Sequence, residues 1–291
     1  MVDKLSVVIL NYNSGNFLLK CLESLDKNSE DLKLDVWVID NVSTDESINL
    51  AKKEFPKVNY ILSQENGGFS KGNNLALRKI KNEHILILNC DTKVLSGTLK
   101  YMVDYMKNNP EVGASTCRVE LPDGKLDPAS HRGFPTPLAS FLYYFLKNDS
   151  LYHLSNKDMN KIHEVDAISG SFFLTRKSVL DKVGLFDEDY FMYAEDLDLS
   201  FRIKKAGFKI MYMPNVKIIH YKGVASGIKS HSQGITTATY ESRLKAFNAF
   251  YETMKIFYKK NLEKSYPFFI NWLVYLAIDL KWFLAKGKLQ V

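Results

Sequence analysis

At 291 residues, with 46% hydrophobic and 25% charged side chains, the chain is long enough to bury a full-sized core and too apolar to be disordered, so it suits one catalytic domain with an appendage. Its three cysteines, Cys21, Cys90 and Cys117, are odd in number and far apart, which argues against a disulfide framework or a zinc-ligand set and suggests reduced thiols in a cytoplasmic protein. The net charge of +6 gathers late, with nine Lys or Arg against four Asp or Glu from Tyr240 onward, interleaved with large apolar residues; that pattern favours an anionic membrane surface over nucleic acid.

The first apolar run, Leu5 to Leu10, has little basic flank and no small-residue cleavage site, so it reads as a strand and not a signal peptide. Strand-like runs at 5 to 12, 35 to 40, 58 to 63 and 84 to 89 alternate with helix-like stretches at 16 to 26, 45 to 55, 70 to 80 and 97 to 108. This βαβα rhythm predicts an α/β fold with a doubly wound, mostly parallel sheet. Ser43-Thr44-Asp45-Glu46 predicts a capping box for the second helix. Residues 120 to 165, with four prolines, read as long loops. A strand over 167 to 175, a helix near 194 to 206 and paired strands at 208 to 213 and 216 to 221 close a catalytic domain over residues 1–232. Residues 233–291 then read as two helices, 236 to 262 and 267 to 285, broken at Tyr266-Pro267. The second helix reaches about the length of a membrane span, but Asn271, Tyr275 and Asp279 form a polar stripe on it. An interfacial helix, a true span and a homodimer contact are the alternatives.

In such a sheet, ligands bind beyond the carboxyl ends of the strands. Asn11 and Asn13 end the first strand there and Asp40 and Asn41 the second, offering amide and carboxylate groups to a nucleobase. The glycine-rich turn Asn66 to Asn74 opens the third helix and brings Lys71 and Asn74 as candidate donor contacts. Asn89 and Asp91 end the fourth strand, and His220 ends a later one. Asp91 and His220 are candidate ligands for Mg²⁺ or Mn²⁺, which needs few protein groups when phosphates supply the rest. Glu195 and Asp196 start an amphipathic helix that also carries Arg202, a further candidate donor contact. A carboxylate there, aimed at an acceptor hydroxyl, would act as a general base.

In this order, the segments resemble glycosyltransferase family 2 with the GT-A fold, over roughly residues 3 to 226. Val7 to Asn13 is similar to the family's opening strand, Asp40 to Asp45 to its base-binding turn, Asn89-Cys90-Asp91 to its metal motif and Glu195-Asp196 to its acidic pair. The resemblance implies an inverting enzyme in which Asp40 meets the base, Asp91 and His220 the metal, and Asp196 is the general base with Glu195 in support. Asn89 stands where the commoner motif has an acid. The Asn66 to Asn74 turn, the Arg132 to Pro137 loop and the His220 to Ser226 stretch resemble bacterial rhamnosyltransferases. That implies dTDP-rhamnose as donor, a lipid-linked glycan of a surface polysaccharide as acceptor, and a peripheral position at the inner membrane face. A UDP-sugar-dependent enzyme and a catalytically silent nucleotide- or glycan-binding relative are the alternatives. A nucleotidyltransferase is disfavoured, because no basic side chain follows the first strand before Lys20.

Overall fold

The computed structural model describes residues 3–29, 32–222 and 239–287. Its first part runs β1 (Asp3–Asn11), α1 (Phe17–Lys27), β2 (Leu32–Asp40), α2 (Ser47–Glu54), β3 (Asn59–Leu62), α3 (Gly68–Leu77) and β4 (His84–Asn89). β1 pairs in parallel with β2 and β4, and β2 with β3, giving the order β3-β2-β1-β4. Successive side chains of a strand point to opposite faces. Val7, Ile9, Leu86 and Leu88 accordingly enter the core on one side of the sheet, and Val8, Ile85 and Ile87 the core on the other. Burial on both faces explains why these strands read as unbroken apolar runs.

β5 (Thr92–Val94), α4 (Thr98–Asn108) and β6 (Val112–Glu120) follow. The region expected to be loop holds β7 (His131–Arg132), α5 (Pro137–Leu146) and β8 (His163–Glu164). Pro137 sits at the start of α5 and Thr136 caps it, its hydroxyl accepting from the Ala139 N–H. The strand expected over 167 to 175 is two pieces, β9 (Ala167–Ile168) and β10 (Phe172–Arg176), parted at Ser169-Gly170-Ser171. β10 runs antiparallel between β4 and β6, so the sheet is mixed beyond β4.

After α6 (Lys177–Val183) and α7 (Glu195–Lys205) comes β11 (Lys209–His220). The expected pair of strands is this single one, parallel to β6, with its register shifted between Met213 and Lys217. Pro214 falls in the shift, where its missing N–H breaks no ladder bond.

At the C-terminal end, α8 (Tyr240–Phe257) passes through a π-helical turn at Tyr258–Leu262 and a 3₁₀ turn at Glu263–Ser265 into α9 (Phe268–Lys286). The expected helix start at 236 and the domain boundary at 232/233 lie outside the described residues. Phe257, Tyr258 and Leu262 pack with Ala167, Tyr190, Ala194 and Leu197 beside α7. Asn261 donates to Asp198 at 2.9 Å, and Lys260 pairs with Asp187 and Asp189. α9 is 19 residues with a mean hydropathy of 1.5, long and apolar enough to cross a membrane by length and composition.

Candidate active site

The ends of β1 and β2 are tied into one turn. Asn11, fully buried, donates through Nδ2 to Asp40 Oδ1 at 2.9 Å and to the hydroxyls of Ser43 and Ser47, while its Oδ1 accepts from Ser14. Asp40 Oδ2 accepts the Ser43 N–H at 3.1 Å, and Asn13 Oδ1 accepts the Thr44 N–H at 2.7 Å. This network overrides the expected capping box. The Ser43 hydroxyl accepts from Asn11 and from the Asn13 N–H, so α2 begins only at Ser47, whose N–H and hydroxyl both bond to Asp45. Asn11 and Asn13 therefore brace the turn that carries Asp40 and Asn41, and Asn11, Asn13 and Asp40, whose two oxygens accept from Asn11 and the Ser43 N–H, do not line the crevice. Asn41 does line it. Its Nδ2 donates to Asn66 Oδ1 and the Gly68 carbonyl, and its Oδ1 is buried without a partner, an acceptor that a ligand N–H would satisfy.

The glycine-rich turn faces the acid pair of α7. At Gly68 φ is +79°, and a Cβ there would lie 2.1 Å from the Phe191 carbonyl oxygen, which accepts the Phe69 N–H at 2.6 Å. Three candidate donor contacts on these elements do not reach the crevice. Lys71 is half exposed on the outer side of α3, near Glu65 at 3.7 Å. Asn74 has both ends of its amide engaged: Nδ2 donates to the Phe186 carbonyl and Glu188, and Oδ1 accepts the Phe186 N–H. Arg202 donates to Asp198 and to the carbonyls of Val183, Gly184 and Leu185. The last two fasten the 183 to 190 loop, whose path from sequence alone was open.

Antiparallel pairing of β11 with β5 sets His220 opposite Thr92 and so beside Asp91. His220 Nε2 is 3.1 Å from Asp91 Oδ1 and 3.4 Å from Asn89 Nδ2. On the other edge of the ring, Nδ1 lies 3.6 Å from Asp127 Oδ2, too long for a hydrogen bond, and Asp127 also pairs with Lys222. Burial opposes the imidazolium, but Asp91 and Asp127 outweigh it and raise His220 to about 9. Asp127 is likewise disfavoured by burial, yet His220 and Lys222 hold its carboxyl well below the usual range. Asp127 and Lys222 both line the crevice, and sequence reasoning singled out neither. Among the described residues no group of three or more His, Cys, Asp or Glu side chains is arranged to hold a metal. Asp91 could ligate a divalent ion, and His220 could join it on giving up the proton that Asp91 and Asp127 favour in the metal-free site; with phosphate and water in the remaining positions this donor set fits Mg²⁺ or Mn²⁺ at a nucleoside diphosphate.

Across the crevice, Tyr193 (φ 72°) and Ala194 (φ 62°) are both left-handed immediately before α7. Such conformations in non-glycine residues cost about 1–3 kcal/mol each and persist where the surroundings enforce them. Here they turn Glu195 and Asp196 into the crevice at the helix N-terminus. Arg132, from β7, places Nη2 3.3 Å from both oxygens of Asp196. Glu195 is buried with Oε2 unpartnered, and burial, then the neighbouring Asp196 charge, pushes it up to about 8. The third acid, Asp198, accepts from Arg202, Tyr190 and Asn261 and is structural.

Asn41, Asn89, Asp91, His220, Glu195 and Asp196 thus line one cavity of about 1750 Å³ at the carboxyl ends of β2, β4 and β11 and the start of α7. The model of glycosyltransferase-like family 2 matches residues 3–242. The chain belongs to this family. This glycosyltransferase is 28% identical over 245 residues to the N-acetylglucosaminyl-diphospho-decaprenol L-rhamnosyltransferase of Mycobacterium tuberculosis, covering 78% of this chain and 79% of that one. It is 29% identical over 224 residues to the rhamnosyltransferase WbbL of Escherichia coli, covering 74% and 82%. Among solved structures, GalNAc-T7 with UDP, GalNAc and Mn²⁺ superposes with a TM-score of 0.58 at 16% identity, over 78% of this glycosyltransferase and 46% of that chain. Staphylococcus aureus TarS 1–349 gives 0.54 at 19% identity, over 88% and 72%. These likenesses show the GT-A fold.

Proposed function

We propose that this glycosyltransferase moves rhamnose from dTDP-rhamnose onto a lipid-linked glycan of a surface polysaccharide, with inversion and with a divalent cation. The observation that carries the reading is the opposition, across one crevice, of the Asp91–His220 pair and the Glu195–Asp196 pair. Asp40 and Asn41 would take the base of the donor, Asn41 through its unpartnered oxygen, and Asp91 and His220 would hold the cation beside the diphosphate. Bound there, the cation supplies positive charge to the departing diphosphate. Asp196 accepts the proton of an acceptor hydroxyl as that oxygen bonds the anomeric carbon and the bond from carbon to the diphosphate oxygen breaks. A single displacement inverts the centre. Arg132 orients the Asp196 carboxylate, and Glu195 beside it, neutral near pH 7, adds no second negative charge to the site. Rhamnose and a lipid-linked acceptor are supported by the two curated rhamnosyltransferases above, one of them named for a diphospho-decaprenol substrate.

Residues 1–232 form the catalytic unit in this reading, and 233–291 dock it at the inner face of the membrane. The test is donor hydrolysis and thermal shift across a panel of nucleotide sugars with Mn²⁺. dTDP-rhamnose is expected to give the largest shift and the fastest turnover, and a clear preference for a UDP-sugar would overturn the donor assignment. Asp196→Asn on the same panel is expected to keep the donor shift and lose at least about a hundredfold in transfer, the scale of general-base catalysis. Parent-like turnover would remove Asp196 from the role.

A further inference from the structure

The cavity that begins at the catalytic acids is larger than a nucleotide sugar requires. Its volume of about 1750 Å³ exceeds the roughly 300–1,000 Å³ of an ordinary small-molecule site. Away from the acids its walls change chemistry, with α5 contributing Phe141 and Phe145, α8 Phe250, and α9 Leu276, Leu280 and Leu284. The α9 residues recur every fourth position and so form one stripe. They are only partly covered: Leu280 is 55% and Phe145 69% exposed, so the groove is apolar and open. Phe268, Trp272 and Phe283, also on α9 and more exposed than its Leu280, lie outside the cavity lining. Phe268 and Trp272 continue the same every-fourth-residue stripe, so the exposed apolar side of α9 is continuous and only part of it lines the groove. Besides Arg132 and Lys222, which pair with acids, two more cations line the same cavity, Lys245 at 4.0 Å from the centre of the Phe191 ring and Lys281 at 3.1 Å from that of Tyr144, the latter joining α9 to α5.

We propose that the groove between α5 and α9 holds the isoprenoid chain of a polyprenyl diphosphate-linked acceptor, with its diphosphate countered by the lining lysines and its sugar hydroxyl at Asp196. This rests on the lipid-linked acceptor reading above and adds where the lipid sits. A flat bilayer would engage Phe268, Trp272 and Phe283 outside the lining, whereas a single chain fits a concave apolar groove continuous with the reaction centre. Charges inside the groove disfavour a second protein copy, because interface cores are depleted of Lys, and they suit an anionic amphiphile.

The experiment uses the full chain with a benzophenone-tagged long-chain polyprenyl diphosphate in phosphatidylglycerol vesicles, irradiated and mapped by peptide mass. Label is expected on residues 137–146 and 268–286, displaced by untagged polyprenyl diphosphate and not by added phosphatidylglycerol. Leu276→Asn with Leu280→Asn is expected to cut the labelling about tenfold or more, since one buried leucine is worth about that factor. Trp272→Ser is expected to lower vesicle binding and spare the competed labelling. Label that phosphatidylglycerol displaces equally makes the groove a general bilayer contact and overturns the proposal, as does unchanged labelling in a groove variant that still binds dTDP. If the groove variants fail to fold, the map and the competition on the parent protein decide. Failure of the transfer reading shows separately, as absence of dTDP binding and donor hydrolysis in the parent protein.

Discussion

Glu195 and Asp196 are adjacent in sequence and differ in surroundings, which would let the two acids take different parts in the proposed reaction. Asp196 has a guanidinium at 3.3 Å, whereas Glu195 has an unpartnered oxygen in a buried place. A proton on Glu195 is held more tightly in the folded protein, near 8, than in the unfolded chain, near 4.5. The stability this confers is fully present below about 4.5 and is lost as pH rises towards 8, because over that window the folded state must keep a proton that the unfolded state releases. Glu195→Gln keeps the shape and removes the titration. Its thermal midpoint is expected to match the parent's at acidic pH and to exceed it increasingly through neutrality, levelling off above about 8. Melting curves of the two proteins across pH measure this, and parallel curves would show that Glu195 titrates alike in the folded and unfolded chain.

At the scale of elements, the site depends on two close approaches, α3 against the loop before α7 and β5 against the end of β11. Gly68 sets the first. Gly68→Ala puts a methyl carbon 2.1 Å from the Phe191 oxygen at a backbone angle that side chains rarely adopt. A loss of about 1–3 kcal/mol or more in urea unfolding is expected, with weakened donor binding; an unaltered midpoint would mean that the 190 to 194 loop moves freely. The parallel half of the fold was legible because β1 and β4 are apolar on both faces and their ends carry polar residues. Asn41, Asp91, Glu195, Asp196 and His220 were legible for the same reason, as polar groups at the ends of recognisable strands or at a helix start. α5 was hidden among prolines, and its apolar residues are not confined to one buried side, so no helical period marked it. Asp127 and Arg132 lie in that same stretch and acquire their roles only when distant segments meet, Asp127 at His220 and Arg132 at Asp196. Asn74 and Arg202 looked like donor contacts from their motifs, but their hydrogen-bonding capacity is taken up by the 183 to 190 loop.

At the scale of the whole molecule, the proposed donor site and the proposed membrane-docking surface are separable in the chain. The groups proposed to hold the donor sit at the ends of β2, β4 and β11, whereas the exposed apolar side chains Phe268, Trp272 and Phe283 belong to α9. Ending the chain after Ser265 removes α9 and the partners of Tyr258, which bonds to Asn271 and packs edge-on against Tyr275. Some lowering of the melting midpoint is expected from that exposure. The shortened protein is nevertheless expected to bind dTDP and to lose most of its co-sedimentation with phosphatidylglycerol vesicles. Trp272→Ser with Phe283→Ser in the full chain checks the same point with α9 in place. Each side chain gives up about 1.5–3 kcal/mol of apolar burial, so the pair should weaken vesicle partitioning by about two orders of magnitude or more. If sedimentation is unchanged in both and light scattering finds the parent dimeric and the variants monomeric, the exposed apolar side of α9 joins two copies of the chain instead of meeting lipid.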